Sequence, residues 1–311
     1  MLDSENGSVN VQKPKLEINF KNDLRQVLLE LFKTSGFLFN HKDSLENLMR
    51  QFLNWRMREI PAKPREVHIS KELKYKLPEG QIARAFGKIM FNAATGGNLN
   101  PHLHKDLRNP GYKDLLLYDW GIHHLHLSVD PDPKHQGFLK GTKELLFARV
   151  DSSDFYCIDI LDHEPIRSFA NQNLVRIMHN NWPHVIAKYR VHEGIGLAQT
   201  VTNEDTHTLR TKHANTFVET PDGVIYFPIG GGCVASGMSI TVVRGTDWLL
   251  NRFEVLEKSI KSNEENLRSR IRDYRGRCPP VLNLKLREWD ESGVEAFESR
   301  TKTKVMIRWC S

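Results

Sequence analysis

Apolar residues at Leu24, Val27, Leu28, Leu31 and Phe32 recur at the i, i+3, i+4, i+7, i+8 spacing of one helical face. That spacing predicts an amphipathic helix from about Asn22. Leu45, Leu48, Met49, Phe52 and Leu53 repeat the stripe behind a capping-box-like start, Asp43 and Glu46. A third helix is written at Ile82, Ala85, Phe86, Ile89 and Met90, and the glycines after Thr95 end it. Pro61 and Pro64 stiffen the connector between the second and third. Residues 1–20 lack periodicity, so the first hundred residues read as a helical layer behind a polar leader.

The period then changes from helical to alternating. His123–Val129, Glu144–Val150 and Phe155–His163 are short runs rich in branched and aromatic residues, separated by Pro-, Asp- and Gly-bearing loops. They predict a three-stranded meander. A helix follows, with Ile166, Phe169, Ala170, Leu174, Ile177 and Met178 on one face, stopped at Trp182-Pro183. Thr216–Thr220 and Val224–Ile229 flank Pro221-Asp222-Gly223 and predict a hairpin. Gly230-Gly231-Gly232 follows as a hinge or bulge, then a strand at Met238–Val243. A long helix from about Asp247 to Tyr274 carries Leu249, Phe253, Leu256, Ile260, Asn263, Leu267, Arg270 and Tyr274 in steps of four and three. This is a short heptad seam with polar interruptions, able to pack inside its own domain or to form a homodimer through residues 249–274. The expected fold class is therefore α+β. N-terminal helices and a small antiparallel sheet fill residues 1–195, and a second α+β domain with a hairpin and long helix fills 196–311.

The chain has 14 histidines, and the densest run is Ile122-His123-His124-Leu125-His126-Leu127. Strand side chains alternate faces, so His123, Leu125 and Leu127 share one face and Ile122, His124 and His126 the other. The leucines mark the first face as the core side. His124 and His126 then lie about 7 Å apart on the opposite, open face. Aligning the apolar parities of the next two strands, with Tyr156, Ile158 and Ile160 toward the core, adds Arg149, Asp159 and His163 to that open face. Two chemistries fit. In one, His124, His126 and His163 supply a general acid and base and Arg149 clamps a phosphate, with no cofactor. In the other, His124, His126, Asp159 and His163 ligate zinc or iron. A third reading leaves the histidines as packing under a loop. His179, His184, His192, His207 and His213 show no ligand spacing and read as structural.

The stretch from Phe138 to His163, with its LKG loop, its arginine-bearing strand, its polar DSSD turn and its terminal His163, resembles the sheet of RelE/HigB-type toxins. The resemblance as a whole spans residues 119–163, about 45 in all. It implies helices followed by an antiparallel sheet, metal-independent mRNA cleavage, Arg149 as the strand arginine and His163 as the terminal basic residue. An inhibitory protein or nucleic-acid antitoxin would be the matching partner. The His124-x-His126 pair is also similar to a cupin strand, whose pattern expects a Glu where this chain has Asp130.

Charge and composition narrow the class. Lys and Arg number 44 against 38 Asp and Glu, a net charge of +6 in 311 residues. Hydrophobic residues make up 39%, enough for a sizeable core, which sets aside a disordered or collagen-like chain. The positive balance favours a polyanion such as RNA. Arg268, Arg270, Arg272 and Arg275, with Arg277 beyond them, form a basic patch suited to nucleic-acid backbone, or to a solvated helix C-terminus. No apolar run reaches the length of a membrane span, and the first fifteen residues are polar. Cys157, Cys233, Cys278 and Cys310 form no C-x-x-C pair, and Cys157 reads as a core filler. Together these predict a reducing, cytoplasmic setting without a membrane partner.

Overall fold

The amphipathic stripes and the alternating runs fold into an α+β architecture, described by a computed structural model over residues 15–164, 168–191, 197 and 199–309. Ile166, His192 and Cys310 lie outside the described residues. The order begins β1 (Lys15–Ile18), α1 (Phe20–Thr34), α2 (Leu45–Arg58), β2 (Glu66–Ile69), α3 (Lys71–Lys74), α4 (Gly80–Thr95), α5 (Leu115–Trp120) and β3 (Ile122–His126). It continues with β4 (Glu144–Val150), β5 (Asp154–Asp162), α6 (Asn173–Asn181), α7 (Pro183–Ile186), α8 (Asn203–Thr211), β6 (Val218–Glu219) and β7 (Ile225–Tyr226). The remainder is α9 (Ile240–Ser262), α10 (Glu264–Arg275), β8 (Val281–Trp289), β9 (Gly293–Glu298) and β10 (Thr303–Arg308).

The chain forms two compact units, but not by a cut near residue 195. Among the described residues, one unit takes those within 15–36, 40–49 and 246–309, and the other those within 37–39 and 50–245. The terminal segments share a unit because β1 pairs in parallel with β8, giving a sheet of order β1-β8-β9-β10. Asp23 of α1 reinforces that closure by accepting from the Leu286 backbone N–H (3.1 Å). Phe253, Leu256, Ile260 and Leu267 of the heptad stripe are already buried within the chain, so they do not offer a free seam to a second copy. The helix breaks at Asn263 between α9 and α10, which shifts the phase so that Ile271 is buried and Arg270 and Tyr274 are exposed. Residues 240–243, expected as strand, open α9 instead. Their β-branched composition loses to the helix that follows them.

The second unit is built on a sheet of order β2-β5-β4-β3, in which the expected meander gains β2 as a parallel neighbour of β5. Both faces of this sheet are covered. Leu125, Leu146, Ala148, Phe155 and Cys157 pack with Ala85, Phe86 and Ile89 of α4. Ile122, Leu145, Phe147, Tyr156 and Ile158 pack with Leu174, Ile177 and Met178 of α6. The face expected to be open is therefore core, and His123, His124 and His126 are all buried. A bulge at Ile158 also corrects the assumed parity: Ala148 faces Cys157 and Phe147 faces Asp159, so Ile158 and Tyr156 sit opposite to expectation. Gly230 lies where the triple-glycine loop meets the end of α5, donating to the Asp119 carbonyl (2.8 Å). A Cβ there would fall 2.4 Å from the Gly121 nitrogen, so only glycine permits this approach.

Gly87, on the exposed side of α4, has nothing within 4 Å of its would-be Cβ. Gly87→Ala should raise stability by about 0.5–1 kcal/mol in urea unfolding, because alanine loses less backbone entropy in a helix. Gly230→Ala should lower it, and equal effects would contradict the close approach.

Candidate functional site

The irregular segment between α4 and α5 carries the polar groups that make a cleft, and α2 holds that segment in place. Asn54 donates to the carbonyls of Pro110 (2.8 Å) and Tyr112 (2.7 Å) and accepts from the Tyr118 hydroxyl (2.6 Å). One turn on, Arg58 donates to the carbonyls of Asp106 (2.8 Å) and Asn109 (2.6 Å), with its guanidinium over the Tyr112 ring. Asp114 then caps α5 through the Leu117 N–H (3.0 Å). The i, i+4 spacing puts Asn54 and Arg58 on one face of the helix.

Around this segment opens a cleft of about 880 Å³, with imidazoles of His104, His124, His163 and His207 in its wall beside Lys113 and Asp114. A smaller hollow behind it adds Arg58 and His123. Phe169 stands edge-on to both His124 (centroids 5.0 Å) and His163 (5.2 Å). His126 stacks on His163 at 6.3 Å. Its Nδ1 accepts from the Thr142 N–H (3.1 Å), which places the proton of the neutral ring on Nε2. The back wall is fixed by a buried ion pair: Arg210 of α8 holds Asp119 through Nε (2.9 Å) and Nη2 (2.6 Å) and lies over the Trp120 ring.

His124 is the anomaly of the site. Only 8% exposed, it leaves Nδ1 without a hydrogen bond, 3.9 Å from the Asp114 carboxylate. Buried polar atoms are nearly always paired, so an orphan on a residue of the cleft wall calls for a functional explanation. Burial holds the His104 and His124 rings below the ordinary imidazole value. It pushes His123 down to about 4, and burial with the surrounding histidines pushes His126 down to about 4. His123, His124 and His126 are thus neutral near pH 7 and able to accept a proton.

Of the residues expected at the site, the structure brings His124, His126 and His163 together and leaves two others out. Arg149 does not line the cleft; its Nη1 donates to the Ile229 carbonyl (3.2 Å) and supports the glycine loop. Asp159 is paired with Lys76 (2.6 Å). No three of His124, His126, Asp159 and His163 are close enough to share one ion. Among the described residues the only such group is Glu66, His68 and Asp154, where His68 is hydrogen-bonded to Asp154 (2.8 Å). On α10, Arg268 is buried, held by Glu264 (2.6 Å) and the carbonyls of Pro279 and Pro280, and is withdrawn from any polyanion. Arg270, Arg272 and Arg275 remain exposed. His207, read from sequence as structural, lines the cleft, whereas His179 is structural, bonded to Tyr226 and Asp222. His104 was missed: it forms a second H-x-H pair with His102, but its loop has no period to place it.

Compared with models of protein families, with characterised proteins and with solved structures, the chain matches none. Among the described residues no helix is long and apolar enough to cross a membrane.

The buried histidines predict acid lability. Between about pH 6.5 and 4 the unfolded chain protonates His123 and His126 while the folded chain does not, so stability falls as pH drops through that window and is level above it. Urea unfolding across a pH series should show a slope of about 1.4 kcal/mol per pH unit for each such histidine. A flat profile from pH 6.5 to 4 would contradict their burial.

Proposed function

We propose that the histidine cleft is a metal-independent ribonuclease site, with RNA as its substrate. The observation that carries this reading is the unpartnered Nδ1 of buried His124, a residue of the cleft wall that stands beside Asp114. A neutral imidazole there accepts a proton, and Asp114 stabilises the imidazolium that results.

RNA supplies the fitting chemistry. His124 takes the proton of a ribose 2′-hydroxyl, the 2′-oxygen bonds to phosphorus, and the 5′-oxygen leaves with a proton donated by His163 in its protonated form. The products are a 2′,3′-cyclic phosphate and a free 5′-hydroxyl, and protons balance between the two histidines. Lys113 offers positive charge to the phosphate. Tyr112 and Phe169 supply apolar surface beside the cleft. The resemblance to RelE/HigB-type toxins points to the same class of reaction, and with it to a toxin or defence role. In this assignment His126 orients His163 by stacking, and Arg149 acts through the glycine loop without touching the phosphate.

Incubated with a single-stranded RNA in EDTA, the protein should yield fragments ending in 2′,3′-cyclic phosphate. His124→Asn should lower the rate by about two to four decades, the usual contribution of a general acid or base. Its far-ultraviolet circular dichroism should be unchanged. Because burial holds His124 below the ordinary imidazole value, the acidic limb of the pH–rate profile should lie below about pH 6.5. Absence of cyclic-phosphate ends, or full activity in His124→Asn, would sink the assignment.

A further inference from the structure

The unit formed by the two chain ends carries a second polar surface that the cleft chemistry does not use. Between α10 and β10 lies a groove of about 910 Å³ walled by Arg270, Tyr274 and Met306. Around the C-terminal end of α10 a second hollow is walled by Arg275, Arg277 and Arg300. Arg275 links them, since its Nε donates to Thr303 Oγ1 (3.1 Å) on the floor of the first.

Three features of this surface point to one kind of ligand. Arg270, Arg277 and Arg300 are exposed and make no ion pair among the described residues, with Asp273 in the wall of the Arg270 groove and Glu17 within electrostatic reach of Arg300. Tyr274 is 73% exposed, an aromatic ring left in water. The Arg275 guanidinium lies 5.1 Å from that ring's centroid, so cation and aromatic face alternate along the surface. Arginines bind phosphate by their planar fork, and an exposed aromatic face stacks a base regardless of sequence. An acidic peptide would use the charges and leave Tyr274 without a partner. Duplex RNA would use the charges too, but its bases are already stacked.

We propose that the Arg270–Tyr274–Arg275–Arg277–Arg300 surface binds single-stranded RNA, its phosphates on the arginines and a base on Tyr274. The ligand class rests on the reading of the cleft as a ribonuclease site, while the residues and their test stand apart from it. Of the arginines expected from sequence, Arg268 is structural and Arg272 is paired with Glu265, while Arg277 and Arg300 complete the set.

The test uses the full chain and a fluorescein-labelled 2′-O-methyl uridine dodecamer, which has no free 2′-hydroxyl and so cannot be cleaved by the cleft. Anisotropy titrations over a series of salt concentrations should show binding that weakens with a log–log slope of about −0.7 per phosphate contacted. Arg277→Ala combined with Arg300→Ala should make the slope shallower by about 1.4, two contacts' worth. Tyr274→Ala should weaken binding about tenfold at unchanged slope, and Tyr274→Phe should restore it. All these side chains are exposed, so the fold is kept. No binding by the wild type, wild-type affinity in both variants, or equal displacement by polyglutamate or by duplex RNA would overturn the proposal. Loss of cleavage without loss of binding would instead count against the cleft alone.

Discussion

Backbone carbonyls in an irregular segment must find donors, and here two side chains on one helix face supply four of the bonds. Asn54 and Arg58 answer the carbonyls of Asp106, Asn109, Pro110 and Tyr112. Without them the segment bearing His104, Tyr112, Lys113 and Asp114 would have to surrender those bonds to water and leave the sheet. Both side chains are almost fully buried, so each bond is made where water cannot substitute for it. The cleft therefore inherits its geometry from α2, an element that contributes only Arg58 to the smaller hollow. The opposite wall has a comparable anchor in the Asp119–Arg210 pair, whose value lies in fixing α8 against the end of α5. A buried pair of this sort adds little net stability but is costly to break.

The sheet explains why its histidines are chemically distinct. With α4 on one face and α6 on the other, β3 has no wet side, although it is the edge strand. An imidazole placed there must be neutral or paired. His102 meets this by donating to the His126 carbonyl (3.0 Å), and His126 by accepting from Thr142. His124 leaves its buried Nδ1 without a partner. Desolvation that only packed the core would be served better by leucine at that position. The cost of keeping a polar ring there is what gives the cleft its proton acceptor.

Legibility followed periodicity. The stripes at Leu24–Phe32, Leu45–Leu53 and Ile82–Met90 became α1, α2 and α4, and Glu144–Val150 became β4 with the bounds read from sequence. The C-terminal sheet went unread, although Leu282, Leu284 and Leu286 alternate with polar residues and all three are buried. What a local pattern cannot carry is the pairing of β1 with β8 across most of the chain, which joins the two ends in one unit. Nor can it carry the bulge at Ile158, since a single unpaired residue inverts every side chain before it. His124, His126 and His163 were legible because a strand spaces them. His104 and Lys113 were not, because the loop that brings them to the cleft is ordered by partners 48 to 58 residues away.

Arginine shows the same limit from the other side. A cluster such as Arg268 to Arg277 reads in sequence as one patch of charge, yet a helix deals its members to different faces. Arg268, at the position that shares a face with Glu264 and turns toward Pro279 and Pro280, becomes a buried clamp for the chain that leaves α10. Arg270 and Arg275 fall elsewhere on the surface, and Arg300 joins them only through the turn between β9 and β10. Charge that is already matched inside the fold has no energy left for a polyanion, whereas unmatched exposed charge has given up little solvation and gains most on releasing counterions. Whether an arginine is structural or a ligand-binding group is thus decided by its partners in the fold, and residue type and spacing alone do not contain that information.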